Sequence, residues 1–407
     1  MATTAPARDF AVPVHVPQEM VRDIDLYAIP GSDRDVHDAW RALQAGPELI
    51  WTPRNGGHWI ATSGRVVEML FKRTDLFSNR EIAVPPGSML LPMLPIQKDG
   101  EEHRVYRAII EPAFKPRSLE AATQRARTLA IDLIETFRPH GRCEFIGDFA
   151  LILPLVVFLS IVDLPQADRD TLHRHAEVMT RTADIAKRHA AFKAIMAYLT
   201  TWIERRRAEP GADLLSAVVH SRPFGRPATD EELLGLGGLL LFGGLDTVTS
   251  MMGFVMRFLA THPDHRRWIL DHPNRIASAI EEIMRRHGVA NVMRTAIDDV
   301  EVAGVTLRGG EHISVATCMH GLDERAFDNP LAVDFERPAQ WTATFGAGPH
   351  RCPGMNLARM EIRILVEEWL RRIPDFEVDP GRPLVQQTGG VNGILQLPLR
   401  WVAHPPA

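Results

Sequence analysis

The chain has few cysteines and no marked excess of charge. Its 407 residues include only Cys143, Cys318 and Cys352, with no CxxC pair and no HxxxH-type histidine pair that would complete a tetrahedral zinc site. So few thiols indicate a reducing compartment. The net charge of −5 and the absence of a basic stripe give no reason to expect nucleic acid as a partner.

A targeting segment is also missing from the sequence. Residues 1–14 show neither the charged and apolar regions of a signal peptide nor the long apolar span of an anchor. The apolar run 149–162 contains Pro154 and is short for a bilayer, so we predict a buried core helix there. We therefore expect a cytoplasmic protein that does not bind membranes.

Nothing in the sequence divides the chain. It contains no low-complexity linker, no run of like charge and no internal repeat. With 45% apolar and 24% charged residues, a chain of this length can bury a large core. We expect one globular enzyme domain spanning 1–407.

Helical periodicity dominates the middle of the sequence. The longest helix is predicted from Asp230 to about Ala260, with Thr229 and Glu232 as its capping box. Strand-like segments are short and peripheral, so the predicted fold class is mainly α with small β-sheets. Further helices are predicted near 101–113, 117–137, 145–162, 166–182 and 188–207, and strands at 59–61, 300–302, 313–316 and 394–401.

The segment 345–354, FGAGPHRCPG, places Cys352 in a glycine-rich loop just before an apolar helix predicted over 355–373. Unpaired amides and the positive dipole end of that helix should lower the pKa of the cysteine, so that a thiolate persists as a metal ligand. Gly348 and Gly354 would let the backbone approach a flat cofactor closely. A lone cysteine near a helix is otherwise more often a small core residue.

The spacing of Phe345, Gly348, His350, Cys352 and Gly354 resembles the haem-binding signature of the cytochrome P-450 family, soluble bacterial class. The resemblance implies haem b with the Cys352 thiolate as the iron ligand. It also implies the P-450 fold, a triangular prism with a long central helix over the haem.

Inside that long helix stands the segment Gly243-Gly244-Leu245-Asp246-Thr247. Each glycine weakens a helix by about 1 kcal/mol relative to alanine. Two adjacent glycines inside a helix therefore indicate a structural or functional requirement for small residues there. One alternative is a close helix crossing that requires small residues. The resemblance instead implies that Asp246 and Thr247 lie over the iron and deliver protons, with Thr247 bonded to a carbonyl one turn back.

Two further sets of residues follow from the resemblance. Glu282 and Arg285 match its ExxR motif, and Arg337 would complete a buried structural network that holds the loop ahead of Cys352. The haem propionates would be bound by cationic or ring donors. Those donors are His103, Arg107, Arg294 and His350.

A basic face behind the thiolate would dock an electron donor. It would comprise Arg104, Arg107, Arg351 and Arg359, with an ordinary solvated basic patch as the alternative. We expect that no reductase or ferredoxin module is fused to the chain, since the haem domain uses all of it. The resemblance therefore implies a separate 2Fe-2S ferredoxin, fed by an NADH-dependent reductase.

Over nearly the whole chain the resemblance extends to the camphor hydroxylase subfamily. It implies an almost entirely apolar pocket and thus a compact apolar substrate. Leu91 stands where that subfamily has a substrate-anchoring tyrosine, and the bulky Phe242 reshapes the roof, which favours an ionone-like norisoprenoid or another small terpenoid. The pocket would comprise Leu91, Met93, Ile96, Leu239, Phe242, Gly243, Ala290, Gly390 and Val391.

Pro353 is a second departure, because it has no amide hydrogen to point at the sulfur of Cys352. Fewer donors to the thiolate predict a lower reduction potential. The resulting hypothesis is a monooxygenase that hydroxylates its substrate with dioxygen. Alternatives are a camphor-like monoterpene hydroxylase, a peroxide-using peroxygenase and a non-catalytic haem-thiolate sensor.

Overall fold

Helices make up most of the fold in the computed structural model, which describes residues 10–403. Residues 1–9, the greater part of the N-terminal segment considered above, and 404–407 lie outside the described residues. The α-helices are α1 Val36–Ala42, α2 Gly64–Lys72, α3 Gly100–Ile110, α4 Glu120–Phe137, α5 Leu153–Val162, α6 Arg169–Arg181, α7 Ile185–Ala208, α8 Leu214–Val219, α9 Asp230–Leu245, α10 Thr247–Thr261, α11 Pro263–Asp271, α12 Ile276–Arg286, α13 Cys318–Gly321 and α14 Met355–Arg372.

The strands are short and form small sheets at the periphery, as predicted. The largest sheet has the order β1-β2-β8-β5-β3, in which only β2 and β8 run parallel. The others are β4-β12-β9, β10-β11 and β6-β7. The strands are β1 Leu49–Thr52, β2 His58–Ala61, β3 Phe77–Ser78, β4 Arg142–Glu144, β5 Asn291–Ala296, β6 Val300–Val302, β7 Val305–Leu307, β8 His312–Ala316, β9 Glu377–Val378, β10 Val385–Gln387, β11 Gly393–Gln396 and β12 Pro398–Arg400.

The predicted helix after Cys352 is confirmed as α14, which begins at Met355. Its apolar side chains are buried against α4 and α12. Trp369 is completely buried and contacts Phe137 and Phe145, with ring centroids 5.5 Å from each. Because this helix is fixed by the core along its length, its N-terminus and the cysteine loop before it are held in place.

The apolar run near 149–162 is a buried core helix, as expected. It consists of a π-helical turn, Ile146–Ala150, followed by α5. Within residues 10–403, one helical run, 230–261, is long and apolar enough by length and composition to cross a membrane. Most of that run is buried inside the protein, which is typical of the core helix of a globular protein.

The central helix departs from the prediction at one residue. Thr229 and Glu232 form the predicted capping box. The predicted continuous helix is wrong at Asp246, whose backbone (φ −132°, ψ −31°) ends α9 and starts α10. Gly243 and Gly244, three and two residues before it, weaken the helix at that point. The break lies inside the segment that the sequence assigned to oxygen chemistry.

Candidate active site

The cysteine loop is shaped by its own backbone. Cys352 donates its N–H to the carbonyl of Phe345 at 2.9 Å, which closes the loop. Gly348 has φ +64°, and a Cβ there would lie 2.9 Å from the carbonyl oxygen of Phe71. Glycine is therefore required at position 348. Gly354 has φ −79°, and a Cβ would lie 3.8 Å from the Cys352 Sγ, so its approach to a cofactor remains a prediction.

The prediction that the helix N-terminus lowers the pKa of Cys352 is wrong. Desolvation is the largest effect, and it raises the pKa of the thiol. The backbone N–H of Gly354 and the charges of Arg107 and Arg359 act in the predicted direction but are smaller effects. A metal cation bound to the sulfur would supply the missing stabilisation of the thiolate.

Around the loop lie cationic and imidazole groups whose hydrogen-bonding capacity is largely unused among the described residues. The rings of His103 and His350 are 4.1 Å apart. Neither ring nitrogen of His103 has a hydrogen-bond partner among the described residues, and the pKa of His103 is lowered to about 4, mainly by burial. His350 has one partner, since its Nε2 lies 3.5 Å from Asp99. Buried polar atoms of this kind favour a ligand that accepts their hydrogen bonds.

Arg294 and Arg107 complete this cradle. Arg294 is buried against the ring of Phe71, and desolvation lowers its pKa to about 10. No described carboxylate lies within salt-bridge distance of Arg294. Arg107 makes an ion pair from its Nε to Glu111 Oε2 at 3.5 Å, but this Nε makes no hydrogen bond among residues 10–403. A cavity of about 400 Å³ is lined by His103, Arg107 and Cys352. The thiol can ligate an iron ion, and the donors with unused hydrogen-bonding capacity can bind carboxylates. This set of groups fits a planar iron cofactor that carries two carboxylates.

Asp246 is held at the break between α9 and α10. Its Oδ1 accepts from Arg181 Nη2 at 2.8 Å and its Oδ2 accepts from the Thr180 hydroxyl at 2.9 Å. Thr247 donates its hydroxyl to the carbonyl of Gly243 at 3.0 Å, which confirms the predicted bond one turn back. A second cavity, of about 490 Å³, borders Asp246 and Arg181.

The two adjacent glycines have different environments. A Cβ on Gly244 would lie 2.7 Å from the ring of Phe158, so this glycine permits the close helix crossing that was the alternative explanation. A Cβ on Gly243 would meet no atom within 4 Å. Gly243 therefore borders open space. The close crossing explains Gly244, whereas the place of Gly243 at the oxygen site stays a prediction.

Most of the predicted pocket residues form one apolar cluster. Leu91, Met93, Ile96, Leu239 and Phe242 all belong to it. Gly390 and Val391 do not, nor does Ala290, which pairs with Val391 in an isolated bridge. Other members of the cluster were not predicted from the sequence and come from other segments, notably α6 and α7. These members are Ile82, Met89, Val178, Met179, Ala191, Phe192 and Met196.

The ExxR residues form the predicted buried network. Arg285 donates to both carboxylate oxygens of Glu282, at 2.8 and 2.9 Å, and Arg337 donates to the same carboxylate at 3.0 Å. Arg285 also binds the carbonyls of Pro330 and Ala332. The network thus holds the segment around 330–337 directly. The cysteine loop is joined to α12 by a separate bond.

That separate bond runs from the Thr344 hydroxyl to the carbonyl of Met284, at 3.2 Å. Of the four predicted docking arginines, Arg104, Arg107 and Arg351 surround the cavity at Cys352. Arg359 instead makes two bonds to Glu281, at 2.6 and 2.8 Å, so it is not a free cation. Arg181, Thr180 and Asp99 were also missed, because their partners come from distant parts of the chain.

The fold and this arrangement define a haem-thiolate protein. Comparison with known proteins agrees, because the Cytochrome P-450 family profile matches residues 276–400. Probable cytochrome P-450 127A1 of Sinorhizobium fredii is 33% identical over 409 residues, which cover 96% of this chain and 97% of that protein.

Two crystal structures are similar over nearly the whole chain. Cytochrome P-450 CYP101C1 superposes with a TM-score of 0.87 at 38% identity, covering 97% of this chain and 100% of that one. CYP101J2 gives a TM-score of 0.87 at 36% identity, with 96% and 99% covered. The chain therefore belongs to the cytochrome P-450 family, and it resembles the camphor-hydroxylase-like subfamily. It is a monooxygenase of bacterial type whose cofactor is haem b.

Proposed function

We propose that this monooxygenase hydroxylates a small apolar terpenoid or norisoprenoid with an ionone-like skeleton. The observation that supports the proposal is the apolar cluster around Phe242, whose members carry no hydroxyl, amide or charged group. Pockets of this kind bind their ligands chiefly by the area removed from water. A compact hydrocarbon skeleton matches that surface.

The shape of the cluster favours a flattened skeleton. Phe192 and Phe242 lie nearly parallel, with ring centroids 6.0 Å apart and planes at 21°. Leu91 presents no hydroxyl to a substrate ketone. Both features favour a planar conjugated terpenoid over a globular bicyclic one such as camphor, which stays the alternative substrate.

When bound, the haem activates dioxygen and inserts one oxygen atom into a C–H bond. Cys352 would ligate its iron, while His103, Arg107, Arg294 and His350 would bind its propionates. The two arginines would supply positive charge to the two carboxylates in a buried place, where unpaired charges are costly, and the two histidines would donate N–H hydrogen bonds. A propionate oxygen would accept from the ring N–H of His103, which has no other partner in the described chain.

Protons would reach the site through Asp246 and Thr247. The Thr247 hydroxyl donates to Gly243, so its oxygen lone pairs remain free to accept a hydrogen bond from the site. Asp246 is 2% exposed, and the cavity beside it is also lined by His173 and Glu177. This cavity supports a proton route from solvent to Asp246. A peroxygenase would need no such route.

Electrons would come from a separate acidic 2Fe-2S ferredoxin, reduced by an NADH-dependent reductase. Arg104 and Arg351 are exposed, and no carboxylate within residues 10–403 lies at salt-bridge distance from either. Free surface cations beside the cofactor favour an acidic partner. We further propose that the enzyme is cytoplasmic and that its 407 residues form one haem domain.

Reconstitution with a ferredoxin and its reductase tests the function. We expect an ionone to outcompete camphor for turnover, with product formed only when NADH and both electron carriers are present. Faster oxidation of camphor would overturn the norisoprenoid assignment. Product formed from peroxide alone would support a peroxygenase, and absence of turnover with a shifted optical spectrum would support a sensor.

A further inference from the structure

Arg188 is a buried cation without a counter-charge among residues 10–403. It lies in the first turns of α7 and is 3% exposed. Within residues 10–403, six arginines are less than a tenth exposed, and four of these have a carboxylate within 4 Å. The two exceptions are Arg188 and Arg294. Arg294 belongs to the cradle for the haem carboxylates, so its counter-charge comes from a ligand.

Neutral groups bind one nitrogen of Arg188 and leave the others free. Its Nη1 donates to the Tyr27 hydroxyl at 2.7 Å and to the carbonyl of Val84. Tyr27 donates its own proton to the same carbonyl, and burial raises the pKa of Tyr27, so this partner stays neutral. The Nε of Arg188 is buried without a partner, and its Nη2 makes no hydrogen bond to a described residue.

The position of Arg188 relates this charge to the substrate pocket. Ala191 and Phe192, three and four residues further along α7, belong to the apolar cluster around Phe242. Side chains at these spacings share one face of a helix. Val84 follows Ile82, another member of the cluster, by two residues. Arg188 therefore lies on the face of α7 that carries Ala191 and Phe192, and it is bonded to the segment that contains Ile82.

Burial of a guanidinium without a charged partner is unfavourable unless its hydrogen bonds are satisfied. The apolar cluster offers no acceptor. An acceptor oxygen on a molecule that enters the pocket would satisfy Nε and Nη2. A planar guanidinium suits a carbonyl or carboxylate oxygen particularly well.

We infer that Arg188 is a specificity-determining residue that binds a carbonyl oxygen of the substrate, in a ketone or a carboxylate, remote from the C–H bond that is oxidised. The inference rests on the proposed function of the apolar pocket and narrows its substrate to oxygenated terpenoids. It gives the pocket a polar anchor although Leu91 supplies none. Arg188 would orient the skeleton through this one contact.

Ligand binding to the ferric holoenzyme tests the inference without turnover. Three ligands with one ring skeleton are needed: an ionone-type ketone, the corresponding carboxylic acid, and the hydrocarbon that lacks the oxygen. Dissociation constants come from the optical spin-state shift and from calorimetry. Arg188→Met removes the donor, and Lys193→Met, on the exposed side of the same helix, is the matched control.

In Arg188→Met we expect the dissociation constant of the oxygenated ligand to rise about tenfold or more, with little change for the hydrocarbon. Lys193→Met should change neither. A loss confined to the acid identifies a carboxylate, and a loss for the ketone identifies a keto group. An equal rise of the dissociation constant for all three ligands, or no rise, would overturn the inference. Arg188 would then have only a structural role between α7 and the segment around Val84.

Two further measurements keep these outcomes interpretable. If Arg188→Met fails to fold, judged by the carbon monoxide spectrum, Arg188→Lys retains the charge and should show a smaller loss for the same ligand. Tyr27→Phe is measured beside Arg188→Lys. If both variants keep the original ratio of dissociation constants between the oxygenated ligand and the hydrocarbon, the inference is also overturned. Turnover of ionone is measured in a separate experiment. Because the ratio of dissociation constants does not depend on product formation, an incorrect substrate assignment can be distinguished from an incorrect role for Arg188.

Discussion

Arg181 donates through Nη2 to Oδ1 of Asp246 at 2.8 Å, and both side chains are almost completely buried. The same guanidinium binds the Ser250 hydroxyl and the carbonyl of Val391. These contacts join α6, the break in the central helix and the segment before β11. The carboxylate that we assign to proton delivery is thus held by α6 through Arg181 and Thr180.

Replacing Asp246 with asparagine keeps the size of the side chain and removes its proton-carrying group. We expect product formation to fall about a hundredfold, the usual range for loss of an acid–base group. NADH consumption per product molecule should rise. Asp170→Asn, at the exposed edge of the cavity beside Asp246, serves as the control. Full activity of the Asp246 variant would refute its role.

The network around Glu282 should govern stability. Glu282→Gln leaves two buried arginines without their carboxylate and should cost about 3–5 kcal/mol of unfolding free energy, measured in urea. The haem content of purified protein should fall with it. Glu336→Gln breaks an exposed ion pair with Arg275 and should cost less than about 1 kcal/mol. Equal losses of unfolding free energy in the two variants would show that the Glu282 network stabilises the fold no more than an exposed ion pair does.

Alanine at the two adjacent glycines should have opposite effects on stability. Gly244→Ala forces a methyl group into the ring of Phe158 and should destabilise by about 1–3 kcal/mol. Gly243→Ala gains helix propensity, up to about 1 kcal/mol, because its methyl group meets no protein atom. It should nonetheless weaken substrate binding. Thermal unfolding and spin-state titration measure both effects, and identical behaviour of the two variants would contradict the assignment.

Acid should destabilise the fold through buried neutral histidines. Burial lowers the pKa of His37 from 6.5 to about 3, and the pKa of the neighbouring His287 is lowered as well. Below pH 6.5 the unfolded chain binds protons that the folded protein does not. Stability is therefore complete above that pH and is lost as the pH falls towards 3, by about 1.4 kcal/mol per pH unit for each histidine.

Urea unfolding of the holoenzyme at a series of pH values measures this slope. His37→Gln should reduce it by the contribution of one histidine. His220→Gln, at an exposed position, controls for the substitution itself. A slope that is unchanged in the His37 variant would rule out its contribution.

Pro353→Leu restores an amide hydrogen next to the cysteine. A further donor towards Sγ withdraws electron density from the thiolate, so the reduction potential should rise. Spectroelectrochemistry measures the change. Pro349→Leu adds an amide elsewhere in the same loop and should leave the potential unaltered. An unchanged potential in the Pro353 variant would refute the effect.

Local chemistry explains what could be predicted without the structure. The capping box at Thr229, the start of α14 at Met355 and the bond from Thr247 to Gly243 each depend on residues within one or two turns. The carboxylate and guanidinium of the ExxR pair stand one turn apart on α12, so their contact also follows from helical spacing. These features were predicted and are confirmed.

Long-range packing decided the rest. The break at Asp246 depends on Arg181 and Thr180, which approach it from α6, 65 and 66 residues away along the chain. The pKa of Cys352 is raised because burial outweighs the local helix dipole. The environment of Arg188 depends on Tyr27 and Val84, more than a hundred residues before it.

The sequence by itself determined the haem-binding signature, the helical class and the candidate proton donors, because each of these patterns depends on residues that are close together in the sequence. Only the tertiary structure decided which charges are compensated. It paired Arg359 with Glu281 and left Arg188 without a carboxylate among the described residues. Desolvation and ion pairing depend on which distant segments pack together, and no local pattern contains that information.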